Sequence, residues 1–372
     1  MVRFLHTADL QLGMPFQWAG ERADDLRRRR EECISRIAEV AREQDVDFVV
    51  VAGDFFDANT VDDRVVVRAC ERLGEFEVPL FILPGNHDAG GGPDSVYKRE
   101  KFRRTRPDLV RVLTDPTPEV VAHGKAVILP APLHYRHSRR DPTAHLNAEF
   151  GREEAPNAIR IGLAHGGIVD FGDSMNVIAD DRAALAELDY LALGDWHSRK
   201  EIDRRTWYSG APEPTGFNEV DSGHVLIVDI EEKGATPQVS AVQVGSAIWE
   251  KKSITFDDGD DLDALAQWFD DLERPLDTLV RLEYGGLLSL EQRRRLDEEI
   301  LGDARDRLLY LRDRPRGLST RASDEELESM KGQGFVGVAV EELQQMMSGD
   351  DEDGADQAAR ALQLLYRIQT TE

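Results

Sequence analysis

The stretch Asp47-Phe48-Val49-Val50-Val51-Ala52-Gly53-Asp54-Phe55-Phe56-Asp57 decides how this chain is read. Asp47 to Ala52 is a β-rich apolar run without polar alternation, the pattern of a strand buried on both faces. Gly53 lets the backbone turn tightly, and the turn delivers a carboxylate, Asp54, at the strand's end. Working outward, Arg3 to Thr7 and Pro79 to Pro84 read as two more buried strands. Arg22 to Gln44 and Asp62 to Leu73 read as amphipathic helices between them. Strand, helix, strand in this order implies an α/β domain with parallel pairs, whose functional residues lie in loops at strand ends. Ala126 to Leu129, Ile159 to Ala164, Tyr190 to Leu193 and His224 to Asp229 continue the series of strands.

Other apolar runs end the same way. His6-Thr7-Ala8-Asp9-Leu10-Gln11, Gly85-Asn86-His87-Asp88, Ala164-His165-Gly166-Gly167 and Gly194-Asp195-Trp196-His197 each place oxygen or nitrogen donors directly after a strand. Carboxylate, amide oxygen and imidazole together are the mixture that hard and borderline divalent cations take. Two such cations can orient a phosphodiester, acidify water and stabilise a leaving oxygen. A single segment of this kind reads as a turn or a core histidine. The five in order read as a metal-dependent phosphoester hydrolase assembled from Asp9, Asp54, Asn86, His87, His165 and His197.

The ordered set resembles the calcineurin-like metallophosphoesterases, whose pattern is D-x-H, G-D-x-x-D, G-N-H-D/E, a lone His and G-H-x-H. Within them the chain is most similar to the SbcD nuclease family, bacterial counterparts of the Mre-type nuclease that works with a Rad-type ATPase. That closer likeness rests on His6 to Gly13, on Leu83-Pro84-Gly85-Asn86-His87-Asp88 and on Trp207-Tyr208-Ser209-Gly210. It covers residues 1 to 230 by motif and the remainder by layout alone. The resemblance implies an α/β fold, an α-β-β-α sandwich with a small α+β capping domain and a C-terminal helical tail. It also implies two divalent metal ions, Mn²⁺ first and Mg²⁺ second. Asp9 and His197 would hold one ion, Asn86 and His165 the other, with Asp54 bridging. His87 would face the scissile phosphate, and Asp88 would hydrogen-bond His87 to fix its tautomer. Asp57 and His6 read as structural. The implied activity is cleavage of DNA phosphodiesters, exonucleolytic and by extension endonucleolytic, in a repair or defence complex. The implied partners are DNA, a second copy of the chain in a homodimer, and an SbcC-like coiled-coil ATPase bound through the tail.

Two departures from the pattern bear on the metals. Gln11 stands where D-x-H has its His, and Asp195 stands where G-H-x-H has its first His. Both can still ligate through oxygen, and oxygen in place of imidazole favours harder ions such as Mn²⁺ or Mg²⁺. Two other readings stay open on the sequence: hydrolysis of small phosphoesters, and a degenerate, non-catalytic subunit of an ATPase complex.

A length of 372 residues suggests two or three domains. They divide as a nuclease domain at 1–245, a capping domain at 246–347, and an acidic linker with a partner-docking helix at 348–372. In the second, Ser253 to Phe256 and Thr278 to Tyr284 read as strands around a helix at Leu262 to Leu272, followed by a helix at Leu290 to Ile300. In the tail, Ser348 to Asp356 reads as solvated linker. Ala358 to Gln369 reads as a helix with Ala361, Leu362, Leu365 and Ile368 on one side, which either packs back on its own domain or docks in a partner's groove.

Cys33 and Cys70 are the only cysteines, which argues against a disulfide scaffold or a thiolate zinc site. No apolar run approaches the roughly 20 residues of a membrane span. Met1 runs straight into the first motif, so no leader and no membrane are expected, and the expected location is cytoplasmic. A net charge of -26 works against tight independent binding of a polyanion. Phosphates must then be met by a partner or by local basic clusters: Arg27 to Arg30, Lys98 to Arg106, or Arg136, Arg139 and Arg140. Each cluster reads equally well as a solvated face. His134, Tyr135 and His137 lie among the last group, where they could touch a nucleic-acid backbone.

Overall fold

Successive strand residues point to opposite faces, and in β1 (Val2–Thr7) and β2 (Phe48–Val51) both faces are apolar. The computed structural model shows where each face goes. It describes residues 1–168, 175–257, 260–331, 334–348 and 352–370, in two units, Met1–Ala247 and Ile248–Glu372.

In the first unit, β1 and β2 are followed by β3 (Leu80–Ile82), β4 (Val110–Val112), β5 (Glu119–Val121), β6 (Ala126–Ala131), β7 (Ile159–His165), β8 (Tyr190–Gly194), β9 (Lys200–Asp203), β10 (Thr206–Tyr208), β11 (His224–Ile230) and β12 (Gln238–Gln243). One six-stranded sheet has the order β12-β11-β1-β2-β3-β4 and the other β5-β6-β7-β8-β10-β9. β1 to β4 are mutually parallel, as are β6, β7 and β8. Phe4, Phe48, Val50 and Phe81 from the first sheet meet Ile128, Ile161, Leu163 and Tyr190 from the second in one core. Each such fully buried side chain contributes roughly 1.5–3 kcal/mol.

The alternate residues of the first sheet, Leu5, Val49, Val51 and Ile82, face outward. There they pack against α1 (Ala23–Glu43) and α2 (Asp63–Leu73) through Ile34, Ile37, Val66 and Ala69, with Phe102 of α3 (Glu100–Thr105) beside them. Asp62 caps α2 by accepting from the Arg64 amide at 2.8 Å. The outer face of the second sheet, including Leu129, Leu191 and Leu193, is covered by Leu146 and by Ala183 of the short α4 (Arg182–Leu185). Helix, sheet, sheet, helix is the layering that the family resemblance implied.

In the second unit β13 (Ile248–Phe256), β14 (Thr278–Leu288) and β15 (Tyr310–Thr320) form a parallel sheet with β14 central. α5 (Asp260–Asp270) connects the first pair. α6 (Leu290–Arg294), a π turn at residues 295–300 and α7 (Leu301–Arg307) connect the second. Leu262, Leu265, Val280, Leu282, Leu296 and Leu301 are its core. β15 was not foreseen. Its Arg-rich sequence with Pro315 is tolerated because it is an edge strand whose register shifts near that proline.

α8 (Asp324–Lys331), α9 (Phe335–Met347) and α10 (Glu352–Thr370) close the chain. Residues 349–351 of the expected linker lie outside the described residues, but from Glu352 the chain is helical rather than linker. α10 packs back on its own unit, where Leu362 is buried with Leu290, Met330 and Val340. Its inner stripe is Ala358, Leu362, Leu365 and Tyr366, a spacing that keeps to 3.6 residues per turn. Ala361 and Ile368, expected on that stripe, are exposed. Among the described residues no helix is long and apolar enough to cross a membrane.

Candidate metal centre

Parallel strands all point their carboxyl ends one way, so the loops after β1, β2, β3, β7 and β8 gather at one end of the sandwich. The loop after β1 runs alongside that after β2: the Asp9 amide donates to Gly53 O at 3.1 Å and the Gln11 amide to Asp54 O at 2.9 Å. Asp9, Gln11, Asp54 and Asp195 all have positive φ, at 56°, 44°, 51° and 95°. Such backbone is uncommon outside glycine and costs of order 1–3 kcal/mol per residue, and it clusters where side chains are aimed for chemistry. Close approach has a second requirement. Gly53 has φ 94°, and a Cβ there would run into the imidazole of His165.

Asp9, Asp54 and His165 are buried, and one ligating atom from each lies within 4.8 Å of the others. The His165 Nδ1–H donates to Ala52 O at 2.8 Å, which leaves Nε2 with its lone pair facing the cluster. The Asn86 amide lies 2.7 Å from that Nε2, and with its nitrogen turned inward it also donates to Asp54 Oδ2 at 3.1 Å. Asp195 Oδ1 stands 3.6 Å from the same Nε2, while the Asp195 backbone amide donates to Asp9 Oδ2 at 3.1 Å. Gln11 Nε2 donates to His197 Nε2 at 3.2 Å. The structure thus brings together Asp9, Gln11, Asp54, Asn86, His165, Asp195 and His197, contributed by five separate loops.

The electrostatics are those of crowded charge. Burial pushes the Asp9 carboxyl up to about 7, although the His197 and His165 charges pull it back. For Asp54 burial acts in the same direction but is outweighed by His165 and His87, so its carboxyl stays below the usual value. Burial disfavours charge on His165, yet Asp54, Asp195 and Asp9 around it win and its imidazole is raised well above the ordinary value. His197 rises to about 8: burial opposes its charge, but its hydrogen bond to Glu219 and the field of Asp9 exceed that opposition. Buried carboxylates and imidazoles crowded in this way are stabilised by added positive charge, whether protons or bound cations.

The donor set fits divalent cations. Among the described residues Gln11 Oε1 is buried without a hydrogen-bond partner, an orphaned acceptor of the kind a ligated cation would satisfy. Asp9, Asp54, Asn86, His165, Asp195, Gln11 and His197 would hold such ions. Bound there, they would polarise a phosphoester and lower the pKa of water.

His87 sits at the edge of the cluster. Its backbone amide donates to Asp54 Oδ1 at 2.9 Å, and its Nδ1–H donates to Asp57 O at 2.7 Å. Nε2 is left available, half-buried, to face a substrate oxygen. The expected hydrogen bond from Asp88 to His87 is not formed. Asp88 is fully buried and turned away, accepting from the Phe56 amide at 3.0 Å, the Gly85 amide at 2.7 Å and the Tyr97 hydroxyl. It therefore braces the loop backbone, and Asp57 holds His87 instead. The reason is local: adjacent side chains on a tight turn diverge, so the residue next in sequence is badly placed to bond its neighbour. His6 is structural as expected, donating to Leu193 O at 3.2 Å and accepting from the Tyr190 hydroxyl at 3.0 Å.

Several supporting residues escaped the sequence reading. Thr215 and Glu219 accept from His197 Nδ1 at 2.9 and 3.1 Å, so a carboxylate fixes which imidazole nitrogen faces the centre. Arg30 is buried and donates to Leu10 O at 2.7 Å and to Glu213 O and Pro214 O at 2.9 Å each, lashing the Asp9 loop to the Glu219 loop. The Tyr208 hydroxyl donates to Gly166 O at 2.8 Å behind His165. The Trp207 to Gly210 segment flagged Tyr208 indirectly. No spacing rule links Glu219 or Arg30 to the motifs they serve.

Residues 2–199 match the family described as Calcineurin-like phosphoesterase. The chain is 23% identical over 282 residues to the uncharacterized metallophosphoesterase YhaO of Bacillus subtilis, covering 72% of this chain and 66% of that protein. It is 26% identical over 297 residues to the DNA double-strand break repair protein Mre11 of Methanopyrus kandleri, covering 68% and 61%. Against the Mre11 of Sulfurisphaera tokodaii the identity is 24% over 249 residues, covering 63% and 58%. The chain spans about two thirds or less of the length of these relatives.

Proposed function

The chain belongs to the calcineurin-like phosphoesterases, metal-dependent hydrolases, and from that premise we propose that it is a two-metal DNA nuclease. The observation that carries the reading is the complete donor cluster with His87 at its edge. Asp9, Asp54 and His165 bring ligating atoms within 4.8 Å of one another, Asp195 Oδ1 stands 3.6 Å from His165 Nε2, and Gln11 lies against His197, which supports a centre that tolerates both departures. Oxygen donors at those two positions favour Mn²⁺, with Mg²⁺ as the alternative. In the hydrolysis His87 Nε2 stabilises the phosphate charge or protonates the leaving oxygen, held by Asp57. The substrate assignment to DNA is supported by the similarity to proteins named for double-strand break repair.

Assembly with a coiled-coil ATPase, and dimerisation of the chain, complete the proposal. The last helices support a docked partner: Phe335, Val338 and Met346 on α9 and Leu364 and Ile368 on α10 are exposed, while Val340 and Leu362 fill the core beneath. Exposed apolar groups gathered on adjoining helices mark interaction surfaces.

The test is incubation of the purified protein with linear double- and single-stranded DNA in Mn²⁺ or Mg²⁺, beside Asp54→Ala and His87→Ala. Wild type should degrade DNA. Asp54→Ala should lose roughly 10³-fold or more, and His87→Ala about 10²–10⁴-fold. Absence of degradation by wild type, with the ATPase partner added, would sink the nuclease reading.

A further inference from the structure

A chain of net charge -26 that acts on DNA needs a local surface for phosphates. The three basic clusters differ in what the fold has done with them. In the first, Arg27 pairs with Asp24, Arg28 pairs with Asp25, and Arg30 is buried on backbone carbonyls. In the second, Arg99 pairs with Asp63, Arg104 pairs with Glu100 and Lys98 donates to Gly91 O, while Lys101, Arg103 and Arg106 form no ion pair with a carboxylate of the described residues. In the third, Arg136, Arg139 and Arg140 are exposed, and none forms an ion pair with a carboxylate of the described residues. The neighbouring Asp141 is already taken by Arg182 at 2.8 Å.

That third cluster is also tied to the metal centre at two roots. On one side the Gly90 amide donates to Leu133 O at 2.9 Å and the Gly91 amide to His134 O at 3.0 Å, so the segment is stitched to the backbone that follows His87 and Asp88. On the other side Asn176, itself buried, clasps it. The Ser138 amide donates to Asn176 Oδ1 at 2.9 Å, Asn176 Nδ2 donates to Arg136 O at 2.9 Å, and the Asn176 amide donates to Ser138 O at 2.7 Å. Asn176 in turn lies against Gly166, next to His165, so closely that a Cβ on Gly166 would strike its carbonyl oxygen. Asn176 adopts φ 53°, a conformation asparagine tolerates better than most residues. The charge of Arg136 reaches Asp57, the residue that holds His87. Tyr135, beside it, is 72% exposed.

We propose that residues His134–Arg140 form the strand-docking arm of this metal centre. Arg136, Arg139 and Arg140 take successive phosphates of a DNA single strand, and Tyr135 offers its ring to an unstacked base. Cationic side chains that track a backbone, with an aromatic face for a base, are the general means of holding single strands without reading sequence. Arg136, whose charge reaches Asp57, guides the strand toward the centre, and the Asn176 clasp keeps the arm in register with His165. This inference rests on the nuclease reading, and the experiment separates the two.

The full-length protein with Mn²⁺ is assayed on a single-stranded oligonucleotide and on bis(p-nitrophenyl) phosphate, a diester with no flanking phosphates for the arm to hold. Variants are Arg136→Gln/Arg139→Gln/Arg140→Gln, Tyr135→Ala, and Asn176→Gly, which keeps the positive φ and the backbone bond to Ser138 and removes the two side-chain bonds of the clasp. The triple variant should lose roughly tenfold or more in kcat/KM on the oligonucleotide relative to its change on the small diester. Its rate should also depend less on salt, by about 2 in the log–log slope, as expected for lost contacts to single-stranded phosphates. Tyr135→Ala and Asn176→Gly should shift the same ratio in the same direction by smaller factors. Equal change on both substrates, or an unaltered salt slope, overturns the docking arm while wild-type cleavage of the oligonucleotide leaves the nuclease reading standing. Wild type that hydrolyses the diester and not the oligonucleotide overturns both.

Discussion

The two sides of the metal centre are built differently. On one side Asp9, Asp54 and His165 are fully buried, pinned by backbone bonds and by glycines that leave no spare volume. On the other, Gln11 meets a His197 that is held at arm's length by a loop, through Thr215 and Glu219, and Asp195 is partly open to solvent. Of the two departures from the family pattern, Asp195 lies where the centre opens to solvent, and Gln11, itself buried, lies against the loop-held His197. A ligand set packed to contact on all sides has little room for a different donor. A set held by a loop can accept an oxygen where the pattern has an imidazole, because the loop adjusts. The sealed side should therefore be sensitive to volume and the looped side to the identity of its donors.

Substitutions on the two sides sharpen or break that contrast. The largest effect belongs to Gly53→Ala, which adds a methyl where His165 already stands and forces an L-residue into positive φ. It should destabilise by about 2–4 kcal/mol, lowering the melting temperature by roughly 10 °C. A melting curve unchanged by the methyl would show that this side is not close-packed. Glu219→Gln comes next. It keeps the volume and removes the charge that orients His197, and should weaken Mn²⁺ binding about 10–100-fold in calorimetric titration while leaving thermal stability of the metal-free protein nearly unchanged. Wild-type affinity in that variant would mean the loop does not govern the ligand. The smallest effect is expected from Gln11→His, which restores the imidazole of the family pattern. Relative affinity should move from Mn²⁺ toward Zn²⁺ or Co²⁺ with little change in stability, read by competition titration. A large fall in melting temperature would show that the loop behind His197 does not adjust to a different donor.

The same contrast explains what could be read in advance. Candidate ligands on strand ends were legible because each follows an apolar run and a turn, a purely local signal carried by stretches such as Val49-Val50-Val51-Ala52-Gly53-Asp54. An α/β domain with parallel pairs was legible from the same alternation, whereas the layering of helix, sheet, sheet and helix was implied by the family resemblance. The role expected for Asp88 was not, since adjacency in sequence says nothing about which way a side chain leaves a tight turn. Asp88 braces Gly85, Phe56 and Tyr97, and the bond to His87 comes from Asp57, thirty residues earlier.

Sequence by itself determined the main buried strands, the presence of parallel pairs and the identity of the donor atoms, because hydrophobic periodicity and turn chemistry act over a few neighbouring residues. Tertiary structure alone decided which groups support those donors. Glu219 reaches His197 and Arg30 reaches Glu213 across the fold, Asn176 joins the His165 loop to the arginines at 136–140, and α10 buries Leu362 rather than Ile368. Each of these depends on where two distant segments are brought to rest by a common core, and no local pattern in either segment encodes that meeting.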